Sequence, residues 1–179
     1  MSPQELTGGS TIHKNQLYTV TGSILEMIRE DGVRTNLGNI AGTSRCIFAS
    51  DGQDLIITAG GNVYRYDTAL AQQTDPDFET PNAVTYLNSR FIYDGNRNRF
   101  GVSEVLDGGN ITPLNYGTAE SGPDDIVRPY LIGNIWRLTL SALSMCLSLN
   151  KGVFRFLCYN GALSSFHHKD IVFDQKHTA

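Results

Sequence analysis

The sequence lacks the features that cross-link a chain, insert it into a membrane or export it. Its three cysteines are an odd and widely spaced set, which argues against a disulfide framework and for synthesis in a reducing compartment. No apolar run reaches the roughly 18 residues that a membrane-spanning helix needs. The first ten residues, MSPQELTGGS, lack the basic and apolar regions of a signal peptide. We therefore expect a protein that is made in the cytoplasm.

Charge is also scarce. Charged residues make up 18% of the chain and the formal net charge is -4, so the protein has no general attraction to nucleic acid or to anionic membranes. Hydrophobic residues make up 40%, and a surface this poor in charge is often partly covered by partners.

A sustained helical period is absent before the C-terminal third, and short β-rich runs take its place. The clearest example, residues 44–67, reads as three strands separated by Asp51-Gly52 and by Gly60-Gly61-Asn62. Such turns between β-rich runs are strong hairpin signals, because tight hairpins require positive φ angles. The segment is predicted to be a β-meander.

The same turn signals recur along the chain. Turn glycines fall about every ten residues, at Gly22, Gly32, Gly42, Gly52 and Gly61, which is typical of all-β sandwiches, barrels and propellers. Further strands are predicted at 17–20, 24–28, 83–87, 90–93, 99–106 and 126–132, and polar loops at 75–81 and 116–125. Residues 33–40 are a weak strand or a loop, residues 68–74 a fourth strand or its frayed end, and residues 110–114 a weaker strand that closes the third unit.

Three of these segments resemble one another, starting at Leu17, Val63 and Phe100, with separations of 46 (63 − 17) and 37 (100 − 63) residues. Four-stranded propeller blades repeat at about 40 to 50 residues. The sequence therefore predicts an all-β fold of consecutive antiparallel meanders, a partial β-propeller of about three to four blades. A sandwich or an open barrel is the alternative.

The C-terminal segment fits two templates. Leu138, Leu140 and Ala142 alternate as in a strand, whereas Leu140, Leu143 and Leu147 fit a helix. The β-rich context favours a strand, followed by a turn at 150–152, a strand at 153–159 and a turn at Asn160-Gly161. Residues 162–166 and 171–173 could then complete a fourth meander.

Four ordered segments carry a resemblance to a known family: GSILEMIREDGVRTNLGNIAG (22–42), LIITAGGNVYRYDT (55–68), VTYLNSRFIYDGNRNRFGVSEVLDGG (84–109) and ESGPDDIVRPYLIGN (120–134). The chain resembles the tail hub, or packaged-DNA stabilisation protein, of short-tailed bacteriophages that carry a tail needle. The resemblance implies a virion tail protein below the portal and its adaptor. It also implies a homo-oligomeric ring that retains packaged DNA, holds the needle and contacts the adaptor, the needle and the tailspike.

The resemblance divides the chain into a loose lead-in (1–16), propeller-like blades (17–134) and a divergent C-terminal segment (135–179). Family members are several hundred residues long. Because the sequence also departs from the family after Asn134, we hypothesise a truncated or frameshifted prophage copy, which native mass spectrometry would contradict by detecting a stable closed ring.

Metal and cofactor signals are weak. His167, His168 and His177 with Cys146 and Cys158 match no compact ligand spacing, so surface histidines and core cysteines are expected. Asp51 to Asp54 and Asp94 to Asn96 resemble the start of a calcium loop but lack its downstream Glu, so both are predicted to be hairpin turns. No cofactor is expected.

The alternative function is a β-propeller that binds or hydrolyses glycans, with paired carboxylates drawn from Glu104, Glu120, Asp124 and Asp125. These acids lie in turn-rich loops, where solvated charge is the simpler interpretation, and no nucleophile or phosphate-loop motif is present. We expect a protein that is not an enzyme.

One basic cluster is present: Arg90, Arg97 and Arg99, beside Phe91, Tyr93 and Phe100. In a hub that lines a DNA channel, such a patch could touch phosphate. A solvated hairpin tip or a subunit contact is the simpler interpretation. Tyr64, Tyr66, Tyr86 and Tyr93 are expected to pack between blades.

Overall fold

The computed structural model describes residues 8–41 and 45–118 and, beyond them, the backbone of five strands between residues 126 and 172. In this part of the chain there are seventeen strands and one short 3-10 turn, Pro76–Phe78. None of the helices in the described residues is long and apolar enough to cross a membrane.

The strands form four antiparallel meanders, each paired in chain order. Sheet 1 contains β1 (Ser10–His13), β2 (Gln16–Thr21), β3 (Ile24–Ile28) and β4 (Arg34–Asn39). Sheet 2 contains β5 (Ile47–Ser50), β6 (Leu55–Ala59), β7 (Asn62–Tyr66) and β8 (Leu70–Gln73). Sheet 3 contains β9 (Val84–Leu87), β10 (Arg90–Asp94), β11 (Arg99–Val102) and β12 (Tyr116–Thr118). Sheet 4 contains β13 (Ile126–Ile132), β14 (Ile135–Leu140), β15 (Ser144–Asn150), β16 (Val153–Tyr159) and β17 (His168–Val172).

The sheets follow one another as the blades of a propeller. The first strand of each sheet contacts the first strand of the next: β1 meets β5, β5 meets β9, and β9 meets β13. These strands begin at residues 10, 47, 84 and 126, with separations of 37 (47 − 10), 37 (84 − 47) and 42 (126 − 84). The sheets do not close into a full circle, and the predicted partial propeller is confirmed.

Two apolar layers join the first three sheets. Tyr18, Val20 and Leu25 of sheet 1 pack in one cluster with Leu55, Ile57 and Tyr64 of sheet 2. The opposite face of sheet 2 contributes Ala49, Ile56 and Val63 to a second cluster, with Val84, Phe91 and Tyr93 of sheet 3. All five residues of β6 are buried, because this strand is covered on both faces.

The alignment of the repeats was wrong by one strand. Leu17 lies in β2, a second strand, whereas Val63 and Phe100 lie in third strands. The predicted lead-in to residue 16 was too long, because β1 pairs with β2 through a turn at Lys14 and Asn15. These two residues adopt φ angles of 47° and 59° without a glycine, so the turn carries no glycine signal.

In sheet 3 the predicted strand 99–106 ends at Val102, and the strand predicted at 110–114 is absent from these described residues. Ser103 ends β11 because its hydroxyl accepts a hydrogen bond from the Phe91 N–H at 2.9 Å, while its own N–H donates to the Phe91 carbonyl at 2.8 Å. Part of the predicted loop 116–125 is instead strand β12, in which Tyr116 pairs with Gly101.

The C-terminal segment is β-structure, as the context of its sequence predicted. β14 and β15 cover most of the ambiguous run, and β16 matches the predicted strand at 153–159. β13 and β14 pair on either side of residue 134, so sheet 4 spans the boundary predicted there. The strand predicted at 162–166 lies outside the described residues.

Candidate interaction surface

The three arginines of the predicted basic cluster do not share one surface role. Arg90 donates to the Ser103 carbonyl at 2.6 Å. The Arg99 Nη1 lies 2.6 Å from a Glu79 carboxylate oxygen, and its guanidinium sits 4.1 Å from the Tyr116 ring centroid. Arg97 is exposed in the β10–β11 turn, at a φ of 59°. Two of the three charges therefore brace sheet 3, and a phosphate contact by any of them stays a prediction.

A narrow cleft lies beside the ion pair of Arg99 and Glu79. Phe78, Glu79, Arg99, Ile111 and Tyr116 contribute to its walls, and its volume is about 30 Å³. A cavity of roughly 10–15 Å³ is needed to hold one water molecule, so this narrow cleft has room for about two.

Asp94 borders the cleft and is buried. Burial raises the pKa of its carboxyl to about 6, against the opposing effect of its hydrogen bonds to backbone N–H groups. Its Oδ1 accepts from the N–H groups of Asn82 and Ala83 at 2.8 and 2.6 Å. Asp94 thus ties the segment before β9 to the end of β10.

Of the four acids considered for glycan chemistry, the structure describes Glu104 alone. The Glu104 carboxylate accepts hydrogen bonds from the Thr112 hydroxyl and, at 3.1 Å, from the Asn115 amide. It therefore braces the β11–β12 connection. Glu120, Asp124 and Asp125 lie outside the described residues.

Asp51 and Asp54, which were considered for calcium binding, lie in a turn. Asp51 Oδ1 accepts from the N–H groups of Gln53 and Asp54 at 2.7 and 2.6 Å, which forms the β5–β6 turn. Within residues 8–41 and 45–118, no three His, Cys, Asp or Glu side chains are grouped to hold a metal. Of the other candidates, Cys146, Cys158 and His168 lie in strands of sheet 4 described by backbone alone, and His167 and His177 lie outside the described residues.

The sequence analysis missed an ionic cluster between sheets 2 and 3. Arg65 Nη2 lies 2.8 Å from Asp54 Oδ2, and its Nη1 lies 3.3 Å from Asp107 Oδ1. The signal available was a charged residue in the middle of an otherwise apolar and aromatic strand, because such a charge requires a partner when it is buried. Next to the cluster, Gly108 packs so closely that a Cβ would lie 2.8 Å from Ile56 and from Phe91.

The sequence analysis also missed an exposed apolar feature in the β11–β12 connection, residues 103–115. Val105 and Leu106 are 53% and 64% exposed, and Leu114 is 79% exposed. Leu106 adopts a φ of 57°, a region that favours glycine and asparagine. We call Val105 and Leu106 the apolar tip.

The chain matches a family model described as bacteriophage P22 Gp10, beta-propeller, over residues 5–132. No curated protein sequence matches it.

Solved structures share the fold at low identity. A structure of YCF48 bound to D1 peptide has a TM-score of 0.59 at 10% identity, covering 100% of this chain and 68% of that one. BamB from Moraxella catarrhalis has a TM-score of 0.58 at 12% identity, covering 91% and 61%. The N-terminal domain of Nup159 has a TM-score of 0.58 at 9% identity, covering 84% and 47%. At such identities the likeness shows a β-propeller fold alone.

Proposed function

The chain belongs to the bacteriophage P22 Gp10 β-propeller family, and we propose that it serves as a hub in the tail of a short-tailed phage. In this role it lies below the portal and its adaptor, helps to retain packaged DNA and supports the needle. Its proposed partners are the adaptor, the needle, the tailspike and further copies of itself in a ring. It is made in the cytoplasm of the host bacterium and ends in the virion.

The observation that supports this role is the match over residues 5–132 to a phage structural family, on a chain that has the corresponding propeller architecture. Stacked meanders offer broad, rigid surfaces for docking. The cleft of sheet 3 is narrow and Glu104 braces the β11–β12 connection, and both observations favour a structural role over the glycan-binding or glycan-cleaving alternative.

Deletion of the gene from its phage tests the role. We expect particles that package DNA but lose it on storage or dilution, so that DNase-sensitive DNA increases and titre falls. Supplying the protein in trans should restore both. Particles that keep their DNA and infect normally without the protein would contradict the hub role.

We also propose that Arg97, which is exposed in the β10–β11 turn, contributes to DNA retention. Arg97→Gln should leave assembly intact and increase DNA leakage if this residue contacts phosphate. Lys14→Gln, in an exposed turn of sheet 1, is the matched control. Equal DNA leakage from both variants would show that Arg97 is a solvated turn residue that makes no phosphate contact.

The hypothesis of a truncated prophage copy makes a separate prediction. A remnant would fail to restore DNA retention in the deletion phage and would form no stable closed ring in native mass spectrometry. Rescue of the deletion by this chain would contradict it.

A further inference from the structure

His13 ends β1 and lies buried in the layer between sheets 1 and 2. It is 2% exposed, and its ring packs edge-on against the uncharged phenol of Tyr18, with 5.4 Å between the ring centroids. Its Nδ1 atom lies 2.7 Å from the hydroxyl of Ser50, the last residue of β5. This hydrogen bond joins the first strand of sheet 1 to the first strand of sheet 2.

The other ring nitrogen has no partner. The Nε2 atom of His13 is buried and makes no hydrogen bond with the residues that the structure describes. Gln16 pairs with His13 across the β1–β2 turn, and its Oε1 atom is also buried without a hydrogen bond to the described residues. A neutral imidazole has one N–H donor, whereas an imidazolium has two and a positive charge. Protonation would therefore place a charged N–H in a buried position without an acceptor, which is costly.

The charged groups around His13 do not compensate a positive ring. Lys14 follows His13 in the β1–β2 turn and repels a positive charge there. Asp51 and Asp54 of the β5–β6 turn attract such a charge, but Asp51 Oδ1 already accepts two N–H groups of its turn, and Asp54 Oδ2 lies 2.8 Å from Arg65. Burial, followed by the effect of Lys14, lowers the pKa of His13 below its ordinary value of 6.5 despite these two carboxylates.

The cost of a charged His13 is concentrated at the sheet with the fewest buried contacts. In the described part of the chain, sheet 1 packs in one apolar cluster with sheet 2, whereas sheet 2 also contributes to a second cluster on its other face. Separation of sheet 1 breaks one layer, and separation of sheet 2 breaks two. Local opening is easiest where the fewest buried contacts are lost, so sheet 1 should open first.

We propose that His13 is an acid-sensitive latch between sheets 1 and 2: the neutral ring holds β1 to β5 through Ser50, and protonation releases sheet 1 while sheets 2 and 3 stay folded. A histidine is suited to this role because its charge changes near neutral pH. Since the folded pKa lies below 6.5, the stabilisation of sheet 1 is fully present above about pH 6.5 and is lost as pH falls from there through the folded pKa. The latch does not rest on the proposed function.

Hydrogen exchange of the full chain, followed by mass spectrometry above and below pH 6.5, tests the proposal. With each rate corrected for the intrinsic effect of pH, the protection of β1 and β2 should fall by up to about tenfold for each pH unit between 6.5 and the folded pKa. Peptides from β6 and β10 should remain protected where those from β1 and β2 exchange. Loss of protection in all three sheets together would overturn the proposal, because it would show global unfolding.

Two variants with a matched control identify His13 as the responsible group. His13→Asn keeps a polar side chain beside Ser50 but cannot ionise, so the pH dependence of exchange in β1 and β2 should disappear. Gln16→Glu places a carboxylate on the position opposite His13, so it should raise the pKa of His13 and remove the sensitivity to acid. Gln72→Glu, at an exposed position of β8, should keep the dependence of the wild type.

Titration of the imidazole by NMR, with the signal of His13 identified by its absence in His13→Asn, measures the protonation directly. The folded wild type should show a midpoint below 6.5. A midpoint at or above 6.5 would overturn the proposal, as would wild-type acid sensitivity in either His13→Asn or Gln16→Glu. If His13→Asn does not fold, Gln16→Glu and its control decide the result. These measurements require no phage particle, so the latch and the hub role can fail separately.

Discussion

Sheets 1 and 2 have the same four-stranded meander but different surroundings. Sheet 2 is covered on both faces, and its strand β6 reads as the continuous apolar run Leu-Ile-Ile-Thr-Ala, all of it buried. In the part of the chain that the structure describes, sheet 1 is covered on one face, which packs against sheet 2. In β2, Tyr18 and Val20 are buried, while Leu17 on the other face is 41% exposed. The patterns differ because one sheet is internal to the stack and the other is terminal.

The open face of sheet 1 is not fully polar. Ile12, Leu17 and Ile28 lie directly opposite one another across β1, β2 and β3, and Ile12 is 72% exposed. Thr19 and Glu26 form the next paired row on that face. A terminal repeat is normally soluble because its outer face is polar. This face therefore combines a polar region with a short aliphatic row.

Truncation of one side chain in each sheet should give the largest difference between sheets 1 and 2 in the loss of unfolding free energy. Ile57→Ala, in the layer between sheets 1 and 2, should reduce the free energy of unfolding by about 2–5 kcal/mol, because it leaves a cavity in a buried layer. Ile12→Ala should change it by less than about 0.5 kcal/mol, because that side chain is exposed. Urea unfolding measures both. Equal losses would mean that the outer face of sheet 1 is covered.

The dependence of stability on pH also distinguishes the internal sheets from sheet 1, because sheet 3 contains the buried carboxyl of Asp94. The pKa of Asp94 is raised from 3.8 to about 6 by burial. Between these values unfolding releases a proton, so the stabilisation present below about pH 4 is lost as pH rises through 6. The loss should reach about 3 kcal/mol, since each unit corresponds to about 1.4 kcal/mol.

The control for this titration is Asp94→Asn, which keeps an oxygen to accept from the Asn82 and Ala83 N–H groups. The difference in unfolding free energy between wild type and variant should change across pH 4–6 and be flat outside it. A difference that is constant across the whole range would contradict the raised pKa.

An ion pair should contribute more to the free energy of unfolding in sheet 2 than in sheet 1. Asp54→Asn removes the buried carboxylate that lies 2.8 Å from Arg65 and should cost about 1–3 kcal/mol, because an amide is a weaker partner for the guanidinium. Glu26→Gln breaks an exposed pair with Arg34 at 3.4 Å and should cost about 0–1 kcal/mol. Unfolding at low and high salt separates the two. An equal dependence on salt would place both pairs at the surface.

The sequence predicted strands correctly where the turns between them contain glycine. Asp51-Gly52 and Gly60-Gly61 defined the strands of sheet 2, because their glycines supply the positive φ that tight hairpins require. Lys14-Asn15 makes a turn with positive φ but contains no glycine, so β1 was missed and the repeats were aligned one strand apart. Local turn chemistry predicts a hairpin only where the residue type reveals it.

The interaction surface was less predictable than the fold. Arg90 and Arg99 were grouped as a basic patch because they are close in sequence, but the structure pairs each with a different acceptor. In the ionic cluster, Arg65 and Asp107 are 42 positions apart. The apolar tip depends on a backbone angle that no composition reveals. Each of these features depends on contacts between residues that are distant in sequence, which a local pattern does not encode.

The most direct test of this account is thiol labelling of Ile12→Cys and Ile56→Cys in the full chain, with the site of labelling located by peptide mass spectrometry. If sheet 1 ends the stack and sheet 2 lies within it, the cysteine at position 12 should react at nearly the rate of a free thiol. The cysteine at position 56 should react only when the chain unfolds. Equal protection at both positions would show that sheet 1 is covered on both faces and would contradict the account.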